Sequence, residues 1–103
     1  MLNINKTVED NLVKVELEGR LDAVTSPELD ESLKEAVESV EATPISLEID
    51  LEKLEYISSA GLRVLLAAQK VMNEKGDMKV TNVNEAVMEI FEVTGFAEIL
   101  TIE

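Results

Sequence analysis

The sequence contains neither cysteine nor histidine. Without cysteine there is no disulfide and no thiolate nucleophile, and without both residues the usual zinc sites are excluded. The missing histidine also removes the side chain that most often acts as a general base. We therefore expect no catalytic residue, no metal and no cofactor.

Basic residues are scarce, and long apolar runs are missing. The 9 lysines and arginines stand against 22 acidic residues, a formal charge of −13 that should repel nucleic acid and anionic lipid. No apolar stretch approaches the roughly 20 residues that a membrane span needs. The first ten residues, MLNINKTVED, lack the layout of a signal peptide. We expect a cytoplasmic monomer that binds neither nucleic acid nor membrane.

Alternation of apolar and polar residues predicts the strands. It is clear from Leu12 to Leu21 and from Ile45 to Leu51, where it continues through Leu54. Residues 1–8 alternate more weakly, and turn-forming residues at 9–11 should join them to the next strand as a hairpin. The remaining predicted extended segments are a short strand at 78–83 and a short strand or turn at 96–103.

Three segments have helical periodicity instead. They cover residues 25–44, 59–75 and 84–93. The wide apolar face of the second segment predicts deep burial. Pro44 should end the first helix, and a left-handed glycine should end the second. The residues expected to cap or close these helices are Thr25 or Ser26, Gly76 and Asn84.

The order of these elements predicts the fold. Strand-helix-strand crossovers favour parallel neighbouring strands, whereas the N-terminal hairpin is antiparallel. We therefore predict a single α/β domain over residues 1–103. It should have a small mixed sheet of four to five strands with helices packed against it.

A polar island at residues 58–61, Ser-Ser-Ala-Gly, interrupts two apolar runs. It lies where a strand's carboxyl end leads into a helix, a place where functional groups collect in sheets of this kind. Either serine can serve only as the helix cap, a contribution of roughly 1 kcal/mol. Residues 58–75 are also locally basic, with three basic residues against one acidic residue.

Catalysis by the serines finds little support in the sequence. No histidine is available as a base, no GxSxG elbow surrounds the pair, and Lys53 and Lys70 are not spaced for Ser-Lys chemistry. No GxxxxGK loop is present for nucleotide phosphates. Modification remains: a phosphate would add about −1.5 to −2 charges at the start of a helix. Arg63, four residues after Ser59, is either within reach of that phosphate or simply exposed to solvent.

The motif YISSAGLRVLL at 56–66 resembles the signature of bacterial anti-sigma factor antagonists, the STAS domain family. GRLDAVTSPEL at 19–29 and TGF at 94–96 extend the resemblance over essentially the whole chain. It implies a partner-switching cycle. The unphosphorylated protein would bind an anti-sigma factor Ser/Thr kinase and release the sigma factor. Phosphorylation would end the binding, and a metal-dependent phosphatase would restore it.

The resemblance also implies the site residues. The phosphorylated serine aligns with Ser59, and Ser58 is the alternate because it occupies a position where the family often has aspartate. Asp22 matches a position at the rim of the partner-binding surface, although a turn-stabilising role is equally compatible with the sequence. Gly61 and Arg63 complete the predicted partner-binding set. The alternative is a STAS interaction module of a larger transporter or sensor complex that works without phosphorylation.

Overall fold

The computed structural model describes residues 1–41 and 43–103. In that part of the chain, a four-stranded sheet has the order β1-β2-β3-β4, with β1 antiparallel to β2 and the other neighbours parallel. This confirms the predicted mixed α/β fold with an antiparallel N-terminal edge. The elements are β1 (Leu2–Glu9), β2 (Leu12–Leu21), α1 (Ser26–Glu38), β3 (Ile45–Ile57), α2 (Ser59–Lys75), β4 (Gly76–Thr81), α3 (Glu85–Thr94) and α4 (Phe96–Ile99).

One face of the sheet is buried, and the opposite face is open to solvent. In β2, Val13 and Val15 are fully buried, whereas Lys14 and Glu16 between and after them are exposed. Each fully buried aliphatic side chain stabilises the fold by about 1.5–3 kcal/mol, so the alternation decides which face the helices cover. The helices complete the same hydrophobic core with Leu29, Leu33, Ala36, Val37, Leu62, Leu65, Met72, Val87 and Phe91.

Strand β3 extends to Ile57, three residues beyond its predicted continuation. Its pairing with β2 shifts register where Glu16 pairs with Asp50 but Glu18 pairs with Lys53. The side-chain amide of Asn84 donates hydrogen bonds to the carbonyl of Leu51 (3.2 Å), inside this shift, and to the carbonyl of Leu54 (2.6 Å), just after it. A residue 30 positions away therefore satisfies the irregular part of the strand, which local sequence could not indicate.

The predicted deep burial of α2 is only partly correct. Leu62, Leu65 and Met72 are buried, but Val71 is 46% exposed and Ala67 is also exposed. One side of α2 packs against the sheet, and α1 lies next to it. An open groove remains along the junction of the two helices, and Ala67 and Val71 line it. The apolar composition of α2 therefore overstates its burial.

The boundary between α2 and β4 also differs from the prediction. Gly76 is not left-handed but extended, with φ 160°, and it begins β4 directly. A Cβ at this position would collide with the backbone of Ile45, so the close approach of two strands requires glycine here. Strand β4 consequently runs over 76–81 rather than 78–83.

The end of the chain contains a short helix that the sequence did not predict. Left-handed Gly95 (φ 83°) ends α3 and leads directly into α4, a single turn at Phe96–Ile99. The short strand or turn predicted for 96–103 is thus a helical turn followed by one parallel bridge between Ile102 and Val80. Periodicity cannot distinguish a single apolar turn from a strand, so the two alternatives stayed open in the sequence.

Candidate functional site

The serine island lies at the junction of β3 and α2, as predicted. Ser58 has extended backbone angles and is the N-cap of α2, where its hydroxyl oxygen accepts a hydrogen bond from the amide of Gly61 (3.3 Å). Its carbonyl accepts the first intrahelical bond from Leu62 (3.0 Å). Ser58 is half-buried. The capping role that either serine could have filled therefore belongs to Ser58.

Ser59 has a different environment although it is the adjacent residue. It is the first residue of α2, and it is exposed. Its hydroxyl makes no hydrogen bond to any other residue within 1–41 and 43–103. An exposed hydroxyl without an internal partner is accessible to a macromolecule, whereas the Ser58 hydroxyl already has a structural role.

Backbone contacts attach this loop to the end of β2. The amide of Ser58 donates to the carbonyl of Leu21 at 2.8 Å, which places the loop beside the turn that begins at Asp22. Gly61 is buried against the same strand end, where an added Cβ would lie 2.7 Å from Leu21 Cγ and 2.9 Å from Ile57 Cγ1. Gly61 thus brings the first turn of α2 close to the sheet, and its burial gives it a packing role in placing the loop.

Asp22 organises the neighbouring turn. Its Oδ1 accepts hydrogen bonds from the backbone amides of Val24 and Thr25, both at 3.0 Å. The hydrogen bond from the Thr25 amide is the main cause that lowers the pKa of the Asp22 carboxyl from its ordinary value of 3.8. The turn-stabilising role left open by the sequence is therefore present. A docking role for Asp22, which is only partly buried, stays a prediction.

The two residues predicted to cap α1 are used differently. Thr25 occupies the N-cap position, but its side chain makes no capping hydrogen bond. Its hydroxyl donates to the carbonyl of Arg20 at 2.9 Å, and the hydroxyl of Ser26 donates to the carbonyl of Asp22. Both residues are buried. The prediction of side-chain capping is wrong, because these hydroxyls hold the preceding turn against the end of β2.

The two arginines lie on the elements that lead into and out of the loop region: Arg20 pairs with Tyr56 of β3, and Arg63 lies on α2. Arg63 is exposed, one turn into α2 after Ser59. Arg20 pairs with Tyr56 across β2 and β3, and its guanidinium carbon lies 4.4 Å from the centre of the tyrosine ring. The sequence did not single out this pair. Arg20 and Tyr56 are both exposed and lie opposite each other on adjacent strands, which is the signal that would have indicated their contact. The pairing of these two residues depends, however, on the register shift in β3.

Neither a cluster of metal-ligating side chains nor a membrane-spanning helix is found in the part of the chain that the structure describes. No group of three or more acidic side chains there is arranged to hold a metal ion. None of its helices combines the length and the apolarity needed to cross a bilayer.

The STAS domain family model matches residues 3–103. The chain belongs to the STAS domain family, which confirms the resemblance inferred from the loop motif.

Several relatives of the chain are named anti-sigma factor antagonists. The chain is 28% identical over 106 residues to an anti-sigma-B factor antagonist of Staphylococcus aureus, covering 96% of this chain and 90% of the relative. A crystal structure of an anti-sigma factor antagonist from Mycobacterium paratuberculosis has a TM-score of 0.86 at 24% identity, over 99% of this chain and 85% of that one. Bacillus SpoIIAA in its phosphorylated form has a TM-score of 0.72 at 16% identity, over 100% and 91%. The two structures establish the shared fold.

Proposed function

We propose that this protein is an anti-sigma factor antagonist whose activity is switched by phosphorylation of Ser59. In its unphosphorylated form it binds an anti-sigma factor that is also a Ser/Thr kinase, and the sigma factor is released. The kinase transfers a phosphoryl group from ATP to the Ser59 oxygen and thereby ends the complex. A metal-dependent phosphatase hydrolyses the phosphoserine and returns the protein to its binding form.

The difference between the two serines supports this assignment most directly. The Ser58 hydroxyl is half-buried and caps α2, whereas Ser59 is exposed and its hydroxyl has no partner in the described residues. A kinase active site needs an accessible hydroxyl that can approach the γ-phosphate of ATP in line. The phosphorylated structure of the Bacillus relative is compatible with a modified residue on this fold.

The physical effect of the phosphate would fall on the partner. A phosphate at the first residue of α2 adds about −1.5 to −2 charges close to backbone amides that tolerate negative charge. The fold should therefore remain intact. A partner surface that closes over the loop would have to desolvate this charge, and the complex would dissociate.

The decisive experiment is incubation with the cognate kinase and ATP, followed by mass-spectrometric location of the phosphate. We expect modification at Ser59 in the wild type and in Ser58→Ala, and none in Ser59→Ala. The unmodified protein should bind the kinase in the absence of ATP. Phosphate on Ser58 alone would move the switch to the neighbouring serine. An unmodified protein that also fails to bind the kinase would refute the proposal and favour a phosphorylation-independent module.

Charge substitution tests how the switch works. Ser59→Asp and Ser59→Glu should weaken kinase binding much more than Ser59→Ala, because the carboxylate excludes the partner while alanine only removes a hydroxyl. The effect will be smaller than that of phosphate, which carries more charge. Titration by calorimetry or fluorescence anisotropy measures the affinities. Equal affinities of the alanine and acidic variants would show that exclusion by charge is not the mechanism.

A further inference from the structure

The chain has only two arginines: Arg20 pairs with Tyr56 on β3, two residues before Ser58, and Arg63 lies on α2, four residues after Ser59. In a chain with 22 acidic residues, neighbouring carboxylates would be expected to pair with such side chains. The ion pairs among the described residues instead involve Lys6, Lys34 and Lys79. Both arginines are exposed and neither forms an ion pair within residues 1–41 and 43–103, but Arg20 stacks on Tyr56. A free guanidinium is well suited to binding the oxygens of a carboxylate or a phosphate.

Arg63 has no acidic neighbour on its own helix. Side chains three and four positions away are neighbours on a helix surface. For Arg63 these positions hold Ser59, Ala60, Leu66 and Ala67, none of which is charged. The only carboxylate on α2 belongs to Glu74, which is eleven residues or about 16 Å along the helix. Ser59 is thus the helical neighbour of Arg63 that a modification would turn into an anion.

We infer that Arg63 exchanges one anion for another when the protein is switched. In the unmodified protein it binds a carboxylate on the docking partner, and after modification it binds the phosphate of Ser59 on its own helix. This inference rests on the proposed function and adds a second action of the phosphate. Phosphorylation not only places negative charge in the interface but also occupies the cation that the partner's carboxylate requires.

The intramolecular half can be tested without any partner. Phosphoserine is installed at position 59 during translation, and phosphorus NMR measures the second pKa of the phosphate, ordinarily about 6. A guanidinium one turn away should lower this pKa, so Arg63→Gln should raise it by roughly 0.3 unit or more. Arg63→Lys should restore part of the shift. Lys70→Gln, an exposed cation about 16 Å from Ser59 on the same helix, is the matched control and should leave the pKa unchanged.

The intermolecular half is tested with the unmodified protein and its kinase. Arg63→Gln should weaken binding about tenfold and reduce the dependence of affinity on salt, whereas Lys70→Gln should do neither. In the Ser59→Glu background, where a carboxylate already engages Arg63, the same substitution should cost less affinity than in the wild type. Circular dichroism confirms that each variant is folded.

The outcomes separate the exchange from the proposed function. A phosphate pKa that is the same in Arg63→Gln and the wild type would overturn the exchange, even if the kinase binds and phosphorylates the protein. Unchanged affinity of unmodified Arg63→Gln would also overturn it. A wild-type protein that does not bind the kinase would overturn the proposed function and the partner half of the inference together. A raised phosphate pKa in Arg63→Gln would still establish the intramolecular contact.

Discussion

Replacing Gly61 with alanine tests how tightly the serine loop is attached to the sheet. The new Cβ would lie 2.7 Å from Leu21 Cγ and 2.9 Å from Ile57 Cγ1, both too close for carbon atoms. Leu21 and Ile57 are 0% and 2% exposed, so neither has free space to move into. Overpacking of this kind costs about 1–3 kcal/mol, whereas alanine in place of glycine in a helix gains at most about 1 kcal/mol. We expect the free energy of unfolding to fall by about 1–2 kcal/mol.

Urea denaturation and thermal unfolding followed by circular dichroism measure this change. For a chain of this length, the loss corresponds to a decrease in Tm of about 5–10 °C. Ala67→Gly is the matched control, because Ala67 is exposed on the same helix and its replacement reports helix propensity alone. That variant should lose up to about 1 kcal/mol. If Gly61→Ala is as stable as the wild type or more stable, Leu21 and Ile57 do not constrain the loop as the structure indicates.

Three further predictions concern the hydrogen bonds that the side chains of Ser58, Asn84 and Asp22 make. Ser58→Ala should lower the free energy of unfolding by about 1 kcal/mol in urea denaturation, whereas Ser58→Asp, which keeps a capping acceptor, should cost far less; equal losses would argue against capping by this side chain. Asn84→Ala should cost about 2–3 kcal/mol by the same measurement, because it removes the cap of α3 and leaves the Leu54 carbonyl without its 2.6 Å donor. A loss below about 1 kcal/mol would show that the strand irregularity does not depend on Asn84. The lowered pKa of Asp22 contributes stability that is present above pH 3.8 and is lost as the pH falls through the folded-state pKa, so the stability difference between wild type and Asp22→Asn should shrink on acidification. A difference that does not change with pH would contradict the carboxylate's role.

The regular elements were predictable because their determinants are local. The alternation in β2, the turn at residues 9–11 and the cap at Asn84 each depend on a few adjacent residues. The mixed sheet followed from the order of the elements. Phosphorylation of Ser59, docking by Asp22 and Arg63, a monomeric state and a cytoplasmic location stay predictions.

The irregular elements depend on contacts between distant residues. Strand β3 continues to Ile57 because Asn84 satisfies its displaced carbonyls, and β4 starts at Gly76 because the Ile45 backbone passes close by. Helix α2 is less buried than its composition suggests, since only one of its sides meets the sheet. Such contacts do not change the spacing of apolar and polar residues in the segments that they affect, so hydrophobic periodicity alone could not predict them.

At the serine loop, the amino-acid order is enough to show that two hydroxyls stand before a helix and that no histidine is available to make either of them a nucleophile. These conclusions follow from residue identity and spacing, which do not require coordinates. The assignment of the cap to Ser58, with Ser59 left free, required the folded structure, because it depends on where β3 ends against Leu21. The same close packing at Gly61 brings the Asp22 turn next to Ser58, although 36 residues separate Asp22 from Ser58 in the chain.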